Sequence, residues 1–267
     1  MQLRPSPQLS RLCHLAKNLY NLANYHIRQK FIKEGRWTRY KDLYNLLKTT
    51  KAYQNLPAHA AQQVLRLLDQ NWNAFFITIK DWWAHPEKYL GRPRLPRYKP
   101  KNGESIVIFT NQQCRIRNGF LIFPKKAQVP PIKTRIVGRF RQIRLLPRGN
   151  HYLLEIVYEK TPVNFKLDSR HVISIDLGLN NFITVVNNAG LPPWRVKGGV
   201  VKSINRYYNK ERARLTSLLN QQSLVGPTIW LQCLRLKRSN KITDFFHKVS
   251  RRVINYCLNF DFDQIVI

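Results

Sequence analysis

Acidic residues are rare in this chain, 14 against 46 lysines and arginines, so each carboxylate is a candidate for chemistry. Asp176 comes first. It lies near the end of the alternating stretch His171–Leu177, and Gly178 follows closely. A carboxylate at a strand end, with no bulk beside it, can hold a divalent metal ion at a sheet edge. An Asp close to a glycine is also a common turn pair, and spacing alone leaves both readings open. The other candidates are cations. Arg92, Arg94, Arg97 and Lys99 are interleaved with Tyr98, which suits backbone phosphates and a stacked base, or an ordinary solvated linker. Lys202, Arg206, Lys210, Arg212 and Arg214 fall in one helical stretch, followed by Lys237 and Arg238 and then by Lys248, Arg251 and Arg252. Charges so spaced either face nucleic acid or line a solvated helix.

The 267 residues carry a formal charge of +32. The excess is not a tail. Residues 1–100 hold 18 basic and 5 acidic side chains, residues 101–170 hold 14 and 4, and residues 171–267 hold 14 and 5. A surface positive throughout repels itself unless a polyanion neutralises it, and nucleic acid is the expected one. With 43% hydrophobic residues the chain has material for a core, which argues against disorder. No run of about 18 apolar residues marks a membrane span, and the N-terminus lacks a signal-peptide apolar stretch. Cys13, Cys114, Cys233 and Cys257 are far apart, form no CxxC pair and predict neither a disulfide framework nor a zinc site. There is no phosphate-binding GxxxxGK[ST] loop. The expected address is a reducing cytoplasm, in association with the nucleoid.

These candidates need elements to position them. Leu12, Leu15, Leu19, Leu22, Ala23, Ile27 and Phe31 recur at helical spacing, with Gly35 as a stop. A shorter helix is predicted over Tyr40, Leu43, Tyr44 and Leu47. A long one opens at Pro57 and runs through Val64, Leu68, Trp72 and Ile79, and Trp72, Trp82 and Trp83 at helical spacing are assigned to its core face in preference to base-stacking platforms. The proline-punctuated basic segment 91–100 cannot be helical throughout and reads as a boundary. Beyond it, short strands are expected at Ser105–Thr110, Cys114–Arg117, Phe120–Pro124, Phe140–Leu146 and Tyr152–Tyr158, with Asn118-Gly119 as a hairpin turn. Further strands are expected at His171–Leu177, Asn181–Asn187 and Trp194–Lys197. Helices follow over Val201–Leu219 and Thr228–Leu258, with a break near Ser239-Asn240, and Asp263–Ile267 has a buried-strand pattern. Three strands, helices and a returning strand is the order of a ribonuclease H-like fold, in which carboxylates on neighbouring strands clamp two metal ions.

On these residues a resemblance rests. HVISIDLGLNNFITVVNNAG, His171–Gly190, resembles the first RuvC motif of the TnpB (OrfB) family of transposon-encoded proteins, relatives of the nuclease half of type V CRISPR effectors. Leu19-Tyr20-Asn21 with Asn24-Tyr25, and Tyr89-Leu90-Gly91-Arg92-Pro93 with Leu95-Pro96, resemble the family's first helix and its linker. Lys202–Asn205 with Tyr207–Lys210 resembles the family's segment after the RuvC strands, and Asp244–Arg251 resembles its helix before the fourth strand. The resemblance implies an α+β, multidomain fold: a helical recognition-like lobe with its basic linker over 1–100, a β-rich wedge-like unit over 101–169, and a partial RuvC domain over 170–267.

It also implies an RNA-guided DNA endonuclease with guide RNA and target DNA as partners, and a two-metal Mg²⁺ site to which Asp176 contributes the first catalytic carboxylate. Base pairing would read sequence while the protein holds the heteroduplex backbone. The family's Glu after the fourth strand, its last Asp and its zinc ribbon have no counterpart in these 267 residues, and Asp261 and Asp263 do not match the Glu position. The family's opening β-strand is not expected either, because the first helix starts almost at once. The chain therefore reads as roughly the front two-thirds of a longer protein, catalytically incomplete as given. Two other readings are a non-catalytic RNA- and DNA-binding remnant or regulator, and a ribonuclease H-like transposase that recognises transposon ends without RNA.

Overall fold

The computed structural model describes residues 1–163, 167–224, 226 and 228–267. They form two compact units, Met1–Thr161 and Pro162–Ile267.

The first unit opens on a strand that the helical spacing of its neighbours conceals. β1 (Gln2–Leu3) pairs antiparallel with the edge of a four-stranded sheet, contrary to the expectation of no opening strand. Two residues are too few for an alternation to register. They are held because the Met1 ammonium donates to the Leu154 carbonyl at 2.7 Å, and the Leu154 amide donates to the Met1 carbonyl at 2.8 Å. α1 (Pro7–Glu34) then starts with Ser6 Oγ accepting from the Leu9 amide and proline in its first turn. It ends where Gly35 turns left-handed at φ 66° and donates to Phe31. α2 (Tyr40–Leu47) has no cap of its own, and Asp69 from a neighbouring helix accepts from the Tyr40 amide at 3.0 Å. α3 (Lys51–Gln54) is capped by Thr50, and α4 (Ala58–Ala84) follows Pro57.

The β part holds β2 (Val107–Thr110), β3 (Arg115–Arg117), β4 (Phe120–Ile122), β5 (Ile132–Lys133), β6 (Phe140–Pro147) and β7 (Tyr152–Tyr158). One sheet runs β1-β7-β6-β2 and the other β3-β4-β5. The β3–β4 hairpin turns at Asn118 and Gly119, both at positive φ (51° and 73°), as the Asn-Gly pair predicts. Helices and strands share one core, in which Leu12, Leu19 and Ile27 of α1 and Leu65, Leu68 and Trp72 of α4 are enclosed with Phe109 and Ile143.

The second unit contains β8 (Asp168–Leu177), β9 (Asn181–Asn187), β10 (Trp194–Lys197), α5 (Gly199–Gln221), α6 (Ile229–Asn259) and β11 (Phe262–Val266). Its sheet runs β10-β9-β8-β11, antiparallel except that β11 lies parallel to β8. Three antiparallel strands, a helical crossover and a parallel return beside the first strand is the ribonuclease H-like arrangement that the element order predicts.

Two expectations need correction. α6 runs unbroken through Ser239 and Asn240, because neither residue breaks a helix when the flanking turns supply its hydrogen bonds. The apolar end of β11 is not buried: Phe262 is enclosed, whereas Ile265, Val266 and Ile267 are exposed. β11 is the outer strand of its sheet among the described residues, and the core beneath it consists of Ile173, Ile183 and Val185 against Val249, Val253 and Cys257.

Candidate nucleic-acid interface and the Asp176 edge

The basic segment of the first unit is not a free linker. Side chains of α1 hold its backbone at successive points. The Asn21 amide donates to the Lys99 carbonyl (2.9 Å) while its oxygen accepts from the Lys99 amide (2.8 Å), the two bonds a neighbouring strand would make. Asn24 and Arg28 both donate to the Pro96 carbonyl, and Lys17, nearly buried, donates to the Lys101 carbonyl at 2.6 Å. Asn24 is itself enclosed and accepts from the Trp72 indole at 3.0 Å, so the strap is tied through to the core. Arg92, Arg94, Arg97 and Lys99 are therefore displayed on the surface from a fixed backbone. Such a backbone lowers the ordering cost of meeting a row of phosphates. The aromatics here already carry cations: the Arg28 guanidinium lies 4.9 Å from the Tyr98 ring centre, and the Lys99 ammonium 5.3 Å from that of Tyr20.

The assignment of Trp72, Trp82 and Trp83 to the core holds for Trp72 alone. Trp82 is half-buried and Trp83 is 68% exposed, because the buried positions of α4 end at Trp72. The two outer indoles meet edge to face at 5.0 Å, and the Arg92 guanidinium sits about 6 Å from each.

In the second unit, Asp176 is exposed near the end of β8, opposite Thr184 of β9. Gly178 behind it is required by close approach, since a Cβ there would lie 2.7 Å from the Asn181 carbonyl oxygen. The same turn receives the start of α5. The Gly198 amide donates to the Asn180 carbonyl at 2.7 Å, Lys202 Nζ donates to the Asn180 side chain, and a Cβ on Gly198 would run into the Leu179 carbonyl. Sequence reasoning passed over Gly198, although the adjacent pair Gly198-Gly199 was a signal of close packing.

The predicted cations of α5 and α6 are distributed differently. Lys202, Arg206, Lys210, Arg212, Lys237, Lys248 and Arg251 are exposed, while Arg238 is half-buried. Asn205, Tyr208, Arg212 and Leu215 share a face as the spacing indicates. Asn205 accepts from Arg238 Nε at 2.7 Å, and the Tyr208 ring lies 5.0 Å from the Arg238 guanidinium and 5.8 Å from that of Arg212. Lys248 is paired with Asp244 at 2.7 Å, one turn away on α6. Each unit thus carries its own set of presented cations.

Residues 155–267 match the OrfB_IS605 family model, whose description is "Probable transposase". Over these residues the chain is similar to that family. No curated protein matches it. Among solved structures, one titled "Cryo-EM structure of the Cas12f1-sgRNA-target DNA complex" is similar at a TM-score of 0.49 and 11% identity, over 96% of this chain and 63% of that one. Another, titled "Cryo-EM structure of CRISPR-Cas12f Ternary Complex", gives a TM-score of 0.33 and 10% identity, over 97% and 61%. The chain spans less than two thirds of the length of either of these structures.

The described side chains of the second unit do not fit a two-metal site. Among the described residues no three His, Cys, Asp or Glu side chains are grouped to hold an ion. Gln264 lies opposite Val172 in the parallel register, four positions from Asp176, and Asp263 is further away still. At about 3.3 Å per residue the two carboxylates are more than about 13 Å apart along the strands, against roughly 4 Å between the ions of a two-metal centre. A single exposed carboxylate offers one or two of the six or more oxygens a hard divalent ion takes.

Proposed function

We propose that this chain is a nucleic-acid-binding protein of the TnpB/OrfB type that engages guide RNA and target DNA, with residues 170–267 as the front of an RNA-guided endonuclease domain. Residues 1–100 would serve as its recognition lobe and 101–169 as its wedge. Its place of action would be the cytoplasm, at the nucleoid. The observation that carries this reading is the β10-β9-β8-β11 sheet with Asp176 exposed on β8, in a chain of net charge +32. The cations held along the α1 strap and along α5 and α6 supply phosphate contacts that need no metal. Mg²⁺ is the ion the full site would use, with Asp176 as its first ligand.

The test is binding by the purified chain as a function of salt. Each phosphate neutralised on duplex DNA should contribute a slope of about −0.9 in log affinity against log salt, and RNA should co-purify, seen as absorbance at 260 nm. An affinity indifferent to salt would sink the reading. The 267-residue chain is expected to leave DNA uncut in Mg²⁺, and Asp176→Ala to bind as the parent does. Cleavage abolished by Asp176→Ala would show that the chain assembles a catalytic centre after all. A second reading, a transposase acting on transposon ends, is favoured by the description of the matching family. It requires sequence-specific binding to the element's terminus with no RNA present.

A further inference from the structure

The hairpin of α5 and α6 carries a feature that phosphate contact alone leaves unused. A groove of about 790 Å³ runs between the two helices. Arg214, Lys237, Arg238 and Lys241 line it, and its one acidic residue, Glu211, is paired with Arg214 at 3.1 Å. Its apolar lining includes Tyr207 and Trp230, which are 61% and 76% exposed. The Tyr208 ring beside them already has guanidinium groups near it, so Tyr207 and Trp230 are the rings open to a ligand. α5, which carries Tyr207, contributes no buried residue among those described, and the buried residues of α6 (Val249, Val253 and Cys257) lie far along that helix from Trp230. These two rings are therefore not remnants of a packed core.

We propose that this groove binds unpaired nucleotides of a single-stranded nucleic acid, with bases stacked on Tyr207 and Trp230 and phosphates on Lys237, Lys241 and Arg214. The inference rests on the nucleic-acid-binding reading above and narrows it. Cations alone would serve a duplex equally well. In a duplex, though, the faces of the bases are covered by their neighbours, and an exposed aromatic has nothing to stack on. Only an unpaired strand offers a π-face and a phosphate to the same groove, and stacking of this kind tolerates any base. Charge complementarity selects the occupant, since the lining is cationic around an aromatic floor.

The experiment compares binding of fluorescently labelled oligothymidylate, oligouridylate and a duplex of equal length to the whole chain. The variants are the double substitution Tyr207→Ala with Trp230→Ala, and the conservative double substitution of both residues to Phe. The alanine pair should weaken single-strand affinity about tenfold or more and leave duplex affinity unchanged, while the Phe pair stays near the parent. A loss confined to the DNA or the RNA strand assigns the groove to that polymer. Both rings are exposed, so circular dichroism and thermal unfolding of the variants should match the parent. Unchanged single-strand affinity in the alanine pair, with the parent binding normally, overturns the groove but leaves the broader reading intact. An equal loss on duplex overturns it too, as does light scattering that shows the alanine pair dissolving a dimer seated on these rings. A parent that binds none of the three probes removes the broader reading and the groove together.

Discussion

The two units solve the problem of burial in opposite ways. In Met1–Thr161 the long helices turn continuous apolar stripes into a shared interior, and Trp72 is enclosed among Phe31, Trp37, Phe75 and Phe76. In Pro162–Ile267 a core of Ile173, Ile183, Val185, Val249, Val253, Cys257 and Phe262 supports two helices of 23 and 31 residues, and α5 buries none of its side chains. The first unit spends its helices on stability. The second keeps most of its helical surface for something else, and that surface is basic and aromatic.

The widest expected difference follows from that contrast. Trp72→Ala removes an enclosed indole and its hydrogen bond to Asn24, and should cost about 3–5 kcal/mol in guanidinium unfolding. Val253→Ala, on the buried side of α6, deletes two methyl groups and should cost about 1–2 kcal/mol. Equal losses would break the comparison, because the second core would then be as tightly packed as the first. A smaller effect separates two adjacent glycines. Gly198→Ala drives a methyl into the Leu179 carbonyl and should destabilise by about 1–3 kcal/mol. Gly199→Ala has open space around it and sits at the first position of α5, so it should be neutral or stabilise by up to about 1 kcal/mol. Melting temperatures of the two variants settle it. Similar values would mean that the start of α5 is not pressed against the β8–β9 turn.

The same contrast explains what could be read from the sequence. α1, α2 and α4, and strands such as Tyr152–Tyr158, Asn181–Asn187 and Trp194–Lys197, carry their periodicity in local order, and the structure places them close to where the spacing does. β1 and β5, of two residues each, carry no period and exist only through their partners. Apolar residues at the ends of elements misled in one direction. Trp83 and the end of β11 continue a buried pattern past the point where anything covers them, because periodicity reports a face and not its extent. The strap was also hidden. Asn21, Asn24 and Arg28 have as targets backbone carbonyls some 70 residues away, which have no residue type to recognise. For the candidate site, the sequence supplied Asp176 and the cations. It could not show that Tyr207 and Trp230 border one groove, since that depends on how two helices lie side by side.

Acidic side chains divide between the units as well, and this yields the finest prediction. In the first unit Asp69 caps α2, Glu104 accepts from Ser10 and Tyr152 at 2.6 Å each, and Asp81 accepts from the Tyr89 hydroxyl at 2.5 Å. That hydroxyl holds the Asp81 carboxyl below its ordinary value, desolvation opposes it, and Lys88 and His85 add to the lowering. The Tyr89 phenol is pushed up by the same bond. A carboxyl whose value is lowered by folding adds stability above the ordinary carboxylate range, and that stability is lost as pH falls through the lowered value. Asp81 keeps part of its surface in solvent, which weakens the effect on unfolding, and the direct measurement is its titration by NMR. Tyr89→Phe should move Asp81 up towards the ordinary carboxylate range, and Asp81→Asn should let Tyr89 titrate nearer its usual value. The contact lies where α4 gives way to the basic strap. If Asp81 titrates identically with and without the Tyr89 hydroxyl, the bond is not made in solution. The strap would then be anchored by α1 alone, and Arg92 would be freer than Arg97 and Lys99, which lie beside the α1 anchor points.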